Sequence, residues 1–215
     1  MTPGLVIFDC DGVLVDSEPL ANAVLADLLT EIGLPTTVPE SITRYMGRSM
    51  PACVGLIEET LGRPVPPGFL TTYHDRVFDV FDRELVPVRN VVEALDALDR
   101  TLNTCVASSG SHERIRRSLG ATGLLQRFGD RIFSAEDVSR PKPWPDLFLH
   151  AAASMGVPPD ACVVIEDSPA GVAAAVAAGM RVLGYADLVA SDVLEAAGAE
   201  VFTDMADLPS LLTAR

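Results

Sequence analysis

The stretch Gly4-Leu5-Val6-Ile7-Phe8-Asp9-Cys10-Asp11-Gly12 constrains this chain more than any other. Its apolar run is too short for a helix and rich in β-branched residues, the pattern of a strand buried in a parallel sheet. The run delivers two carboxylates, Asp9 and Asp11, separated by one residue and followed by a glycine. Asp is depleted in strands, and two like charges so close raise each other's pKa unless something neutralises them. A divalent metal would do so. The alternative for this stretch alone is a strand ending in an Asx-type turn, with Gly12 supplying a positive φ.

Downstream of this strand the pattern turns helical. Asp16-Ser17-Glu18-Pro19 reads as a cap, and Leu20, Val24, Leu25, Leu28, Leu29 and Ile32 recur at helical spacing until Gly33 and Pro35 stop the run. Further helical stretches are predicted near 39–46, 49–62 and 68–84, with no convincing strand among them. From about Val88 apolar runs alternate with helical segments. Strands are predicted at Thr104–Ala107, Ile132-Phe133, Ala161–Ile165, Arg181–Gly184 and Glu200–Phe202. An Ala-rich helix capped by Ser168-Pro169 follows the third of these. Such alternation means βαβ units, so the expected fold class is α/β. A Rossmann-like parallel sheet core, from residues 1–15 and 87–215, is interrupted by a helical-bundle domain over 16–86, placed to act as a lid.

Composition narrows the function. With 215 residues, 48% hydrophobic and 21% charged, the chain is long and apolar enough for a large core. A net charge of −14 offers no basic face for nucleic acid and opposes anionic membrane surfaces. An anionic small substrate therefore needs a few local cations or a metal. The four cysteines form no C-x-x-C pair, which argues against zinc and dithiol chemistry. No signal-peptide pattern and no membrane-length apolar run is present. A cytoplasmic protein, monomeric or weakly homodimeric, is expected, with no nucleic-acid or membrane partner.

In an open α/β sheet, ligands bind beyond the carboxyl ends of the strands. Here each such end carries a polar signal: Asp9 and Asp11 after the first strand, Ser108 and Ser109 after the second, and Glu166-Asp167 after the fourth. Lys142 lies among prolines beyond the third. Four carboxylates, a hydroxyl and a lysine around one crevice suit Mg²⁺, a hard cation that keeps waters and a substrate phosphate in its shell. Asp9 and Asp167 are the expected side-chain ligands; Glu166 either ligates directly or orients the metal's waters. With its charge screened, Asp9 attacks phosphorus and forms an aspartyl-phosphate. Asp11 protonates the leaving oxygen and then activates water. Ser108, the amides after it and Lys142 hold the phosphoryl oxygens.

These motifs resemble the haloacid dehalogenase superfamily of phosphatases. The matches are Asp9-x-Asp11-Gly12-Val13, Ser108 after an apolar strand, Lys142 in a Lys-Pro-x-Pro-Asp setting, and Glu166-Asp167 before Ser168-Pro-x-Gly171. The resemblance implies that the helical insertion is a small cap domain. It also implies that Asp9 is nucleophile and metal ligand, and that Asp11 binds the metal through its backbone carbonyl besides serving as acid and base. Within the superfamily the chain resembles the β-phosphoglucomutase and phosphogluconate-phosphatase-like group. Met46-Gly47-Arg48-Ser49 matches the cap's substrate-specificity loop, making Gly47 and Arg48 candidate substrate contacts. Two positions depart: Ala21 stands where the mutase has a histidine, and Arg89-Asn90 replaces the Pro-Gly that usually re-enters the core. Asn tolerates the left-handed conformation that such a turn needs.

The expected function is Mg²⁺-dependent hydrolysis of a small anionic sugar phosphate or sugar-acid phosphate. A β-phosphoglucomutase-like sugar-phosphate mutase is the enzymatic alternative, weakened by Ala21. A non-catalytic phosphoryl-accepting domain is the alternative of another class; it needs neither the helical insertion nor the second acid, Asp11. No dinucleotide-binding or P-loop motif is present.

Overall fold

The computed structural model describes residues 2–46, 48, 50–98 and 102–213. They form two compact units, one drawn from 1–15 and 86–215, the other from 16–85. Among the described residues the first unit holds a six-stranded sheet of β1 (Leu5–Phe8), β2 (Asn103–Ser108), β3 (Ile132–Ser134), β4 (Cys162–Glu166), β5 (Arg181–Tyr185) and β6 (Glu200–Phe202). The spatial order is β3-β2-β1-β4-β5-β6, with every pair parallel. This is the α/β, Rossmann-like architecture expected from the alternation of apolar runs and helices. All four residues of β1 are fully buried between β2 and β4, which explains their uninterrupted apolar character.

The second unit is helical: α1 (Glu18–Glu31), α2 (Val38–Tyr45), α3 (Met50–Leu61) and α4 (Phe69–Glu84). Its buried residues include Leu25, Leu28, Leu29, Ile57, Tyr73, Val77 and Phe81. Thr37 and Glu40 close a reciprocal capping box at the start of α2. Ser17 occupies the N-cap of α1, but its side chain makes no capping bond. The Ser41 hydroxyl donates to Asn22 at 2.8 Å, a buried polar link between α1 and α2.

The sheet is flanked by α5 (Val91–Leu98), α6 (His112–Ala121), α7 (Leu125–Phe128), α8 (Asp146–Ser154), α9 (Pro169–Ala177), α10 (Ser191–Ala197) and α11 (Leu208–Thr213). Side chains alternate along β1. Leu5 and Ile7 join a core with Leu147, Phe148 and Ala151 of α8 and with Val172, Ala174 and Ala175 of α9. On the other face Phe8 meets Phe128 of α7 edge to face, with ring centroids 6.4 Å apart. The small side chains of α9 therefore serve close helix-to-sheet packing. The pattern of the sequence missed α7, α10 and α11, which have four, seven and six residues, too few to display a helical period. No helix among the described residues is long and apolar enough to cross a membrane.

The chain leaves the sheet unit after Val15 and rejoins it at Val86. Both crossings are tied together: Val15 bridges Pro87, and the Val88 amide donates to the Leu14 carbonyl at 3.1 Å. Asn90 then takes a left-handed conformation, φ 64°, the one non-glycine residue described as doing so. Its amide nitrogen donates to Asp204 at 2.7 Å, and the same Asp204 oxygen accepts from the Ala206 amide. Asn thus fills the position by tolerating the backbone and by anchoring it. We expect Asn90→Val to cost about 1–3 kcal/mol, because a β-branched residue strains this backbone and the link to Asp204 is lost. Asn90→Gly should cost less. Thermal midpoints measure both, and equal midpoints for the two variants would contradict this account.

Candidate active site

The parallel register sets the site. Phe8 pairs with Val106 on one side and Ile165 on the other. The next residues, Asp9, Ala107 and Glu166, therefore come out level at the carboxyl edge of the sheet. The Asp9 amide donates to the Ile165 carbonyl at 3.0 Å, which holds that level. The chain proceeds from β1 toward β2 and from β4 toward β5, in opposite directions. The ends of β1 and β4 consequently flank the topological switch point where such sheets form a crevice.

Lys142 reaches this crevice from the loop before α8. Its ammonium donates to Asp9 Oδ1 at 2.8 Å, Glu166 Oε1 at 2.6 Å and the Ala107 carbonyl at 3.2 Å. It also stands 4.8 Å from the centre of the Phe148 ring. All three N–H donors are spent on protein acceptors, and the side chain is only 4% exposed. Burial alone would lower the lysine's pKa, but Asp9 and Glu166 outweigh it and raise it above the ordinary value. For Asp9 burial dominates and pushes the carboxyl up to about 7; Lys142 opposes that rise, and the charges of Glu166 and Asp11 add to it. Asp9 Oδ2 has no hydrogen-bond partner among the described residues.

Glu166 is fully buried and bonded through both oxygens. Oε1 accepts from Lys142, and Oε2 accepts from the Ser168 amide and hydroxyl, each at 2.9 Å. Ser168 in turn caps α9 by accepting from the Gly171 amide at 3.1 Å. Gly171 has a packing reason: a Cβ there would occupy the position of the Glu166 carboxylate. Gly12, at φ 76°, has a parallel one, since a Cβ would collide with the Asp167 carboxylate. Two glycines thus let two carboxylates lie against backbone turns.

Asp11 accepts from Arg114 Nη2 at 3.0 Å. Ser108, buried at the end of β2, accepts from the Gly110 amide at 3.1 Å, while the Ser134 hydroxyl donates to the Gly110 carbonyl at 2.7 Å. Ser109 is exposed in the same turn. Cys10, between the two aspartates, is buried. Burial and then the neighbouring Asp11 and Asp9 push its thiol well above the usual range, so it stays protonated and unreactive. Arg48 belongs to the helical unit, where it lines an open cavity of about 640 Å³ with Leu34, Pro39, Arg44, Tyr45 and Leu56; its Nε donates to the Arg44 carbonyl at 3.0 Å. Gly47 lies outside the described residues, as does Ser49 of the same motif.

The residues fit a hard divalent cation. Asp9, Glu166 and Asp167 each bring an oxygen within 4.8 Å of one another. Counted as ionised, Asp9, Asp11, Glu166 and Asp167 exceed the cations Lys142 and Arg114 by two charges. That excess is what a divalent ion would balance; the charges of Glu166 and Asp11 only add to the rise that burial imposes on Asp9. Sequence reasoning missed Arg114 and Phe148. Arg114 carried one usable signal, as the cation on the first helical turn after the strand that delivers Ser108. Phe148 looked like any core aromatic.

A family model described as haloacid dehalogenase-like hydrolase matches residues 3–179. The chain is 30% identical to 6-phosphogluconate phosphatase of Escherichia coli K12 over 211 residues, covering 98% of this chain and 95% of that one. Among solved structures, a conserved haloacid dehalogenase-like protein from Agrobacterium tumefaciens superposes with a TM-score of 0.88 at 39% identity, over 98% of this chain and 97% of the other. A haloacid dehalogenase family hydrolase from Deinococcus radiodurans, solved with bound phosphate and sodium, gives 0.84 at 30% identity, over 99% and 96%.

Gly171→Ala tests the support of the cluster. The added methyl displaces the Glu166 carboxylate and loosens Lys142, so turnover or metal affinity should fall by about 10- to 100-fold, the usual cost of a lost supporting contact. Calorimetric metal titration and steady-state rates measure it. Wild-type values in a folded variant would show that Glu166 is not held where the geometry has it.

Proposed function

Because the chain belongs to the haloacid dehalogenase-like hydrolase family and is a phosphoric monoester hydrolase, we propose that it hydrolyses a small sugar phosphate or sugar-acid phosphate through an aspartyl-phosphate on Asp9. The observation that carries this reading is the state of Asp9, with Oδ1 held by Lys142 and Oδ2 without a partner among the described residues. A carboxylate fixed by one oxygen presents the other as a nucleophile.

Asp9 Oδ2 attacks phosphorus while the bond from phosphorus to the sugar oxygen breaks. Asp11 gives that oxygen a proton, then takes one from the water that cleaves the aspartyl-phosphate and returns Asp9. Ser108, Ser109 and the amides of their turn hold the phosphoryl oxygens. Lys142 joins them by exchanging one of its three protein acceptors for a phosphoryl oxygen. Asp9, Asp167 and the Asp11 carbonyl would hold Mg²⁺, with Glu166 behind them, since both its oxygens are already engaged. When bound, Mg²⁺ supplies charge neutralisation and polarisation of a phosphoryl oxygen.

We assign residues 16–86 as a cap that selects the substrate, with Gly47 and Arg48 as its contacts. The sugar-acid class is favoured by the full-length likeness to a 6-phosphogluconate phosphatase. The mutase alternative is disfavoured by Ala21, whose methyl cannot move a proton where that enzyme has histidine. Four buried free thiols agree with a reducing cytoplasm.

Phosphate release from sugar phosphates, sugar-acid phosphates and phosphoglycolate, with Mg²⁺ and with chelator, tests the reading. We expect release from a narrow set of sugar or sugar-acid phosphates that chelator abolishes. Asp9→Asn should lower turnover by at least about a thousandfold while the circular dichroism spectrum is kept. Isomerised sugar phosphate in place of free phosphate would instead establish a mutase.

A further inference from the structure

Asp9 and Asp11 are one residue apart, yet they are held by different cations on different elements. Asp9 is drawn to Lys142, from the loop before α8. Asp11 is drawn to Arg114, on the first turn of α6. Both members of the second pair are mostly buried, with side chains 19% and 18% exposed, so the bond is poorly screened by solvent. The Arg114 backbone is itself fixed: its amide donates to the Ser111 hydroxyl at 3.2 Å in the N-cap of α6, and the adjacent Ile115 is fully buried. On the other side, the Gly12 amide donates to the Val15 carbonyl at 2.9 Å, which fixes the turn that carries Asp11. A guanidinium carried on an anchored backbone therefore meets a carboxylate on an anchored turn.

We infer that Arg114 is the positioning residue for proton transfer by Asp11. The inference rests on the phosphatase reading and adds a component to it. A charge-assisted bond to one oxygen sets the rotation of the carboxylate and keeps it apart from Asp9, so that two neighbouring acids perform two tasks. Arg114 acts through Asp11 and needs no contact with the substrate.

The experiment compares wild type, Arg114→Met, Arg114→Lys, Asp11→Asn and the double variant Asp11→Asn with Arg114→Met. Wild-type phosphate release is measured first, so that failure of the hydrolase reading is seen separately. Arg114→Met should lower kcat by about 10- to 100-fold, the range of a lost supporting contact, with KM and Mg²⁺ affinity unchanged. Arg114→Lys, which keeps the charge, should recover most of kcat. In the Asp11→Asn background Arg114→Met should have no further effect, because groups acting as a unit are non-additive. A raised KM with kcat kept would make Arg114 a substrate-binding cation and overturn the inference. So would a further loss in the Asp11→Asn background, an unchanged kcat, or an unfolded Arg114→Met together with an Arg114→Lys as slow as Asp11→Asn. A wild type that releases no phosphate from any substrate overturns the inference and the reading together.

Discussion

A single ammonium group, that of Lys142, organises the carboxyl edge of this sheet. Two carboxylates cannot both be buried as anions without a cation between them, and the ends of β1 and β4 place Asp9 and Glu166 side by side. Lys142 resolves the conflict with three hydrogen bonds, one of them to the β2 carbonyl of Ala107. Everything around it follows from that position. Phe148 provides an electron-rich face, Ser168 occupies the second oxygen of Glu166, and Gly171 makes room for the carboxylate. Removal of the ammonium alone leaves buried carboxylate charge without its cation, so the side chain has a structural role whatever else it does.

The site also shows how a strongly acidic protein can serve an anionic substrate. Its overall charge of −14 repels such a molecule, and the crevice itself carries more carboxylates than cations. Burial raises the Asp9 pKa to about 7 against the pull of Lys142, which moderates the local excess of negative charge. A divalent cation bound among these carboxylates would lower the field that opposes a phosphate.

Much of this was legible in the sequence, for identifiable reasons. The buried strands are short, apolar and β-branched, and the polar residues that break them are few, so Asp9, Asp11, Ser108, Glu166 and Asp167 stood out against an apolar background. Lys142 stood out by its prolines, and Asn90 by replacing a glycine in a turn. The role of each partner was not legible. Nothing in the order of residues says that all three donors of Lys142 are engaged, that both oxygens of Glu166 are taken, or that Arg114 turns toward Asp11 across a separation of 103 residues. Such pairings depend on register and rotamer, which composition and period do not encode. The short helices α7, α10 and α11 escaped for a different reason, since a segment shorter than two turns has no measurable period.

The tie between Val15 and Pro87 has a consequence for how such chains diverge. The seventy residues of the helical unit begin and end beside an isolated backbone bridge, between Val15 and Pro87. The excursion therefore closes on itself, and the sheet experiences only two adjacent chain ends. The entropy of closing such an excursion grows only with the logarithm of its length. Helices can be added, shortened or exchanged there at little cost to the strands. The sheet and its carboxyl edge can thus stay fixed while the inserted module is free to be replaced, so that the two parts of the chain can diverge at different rates.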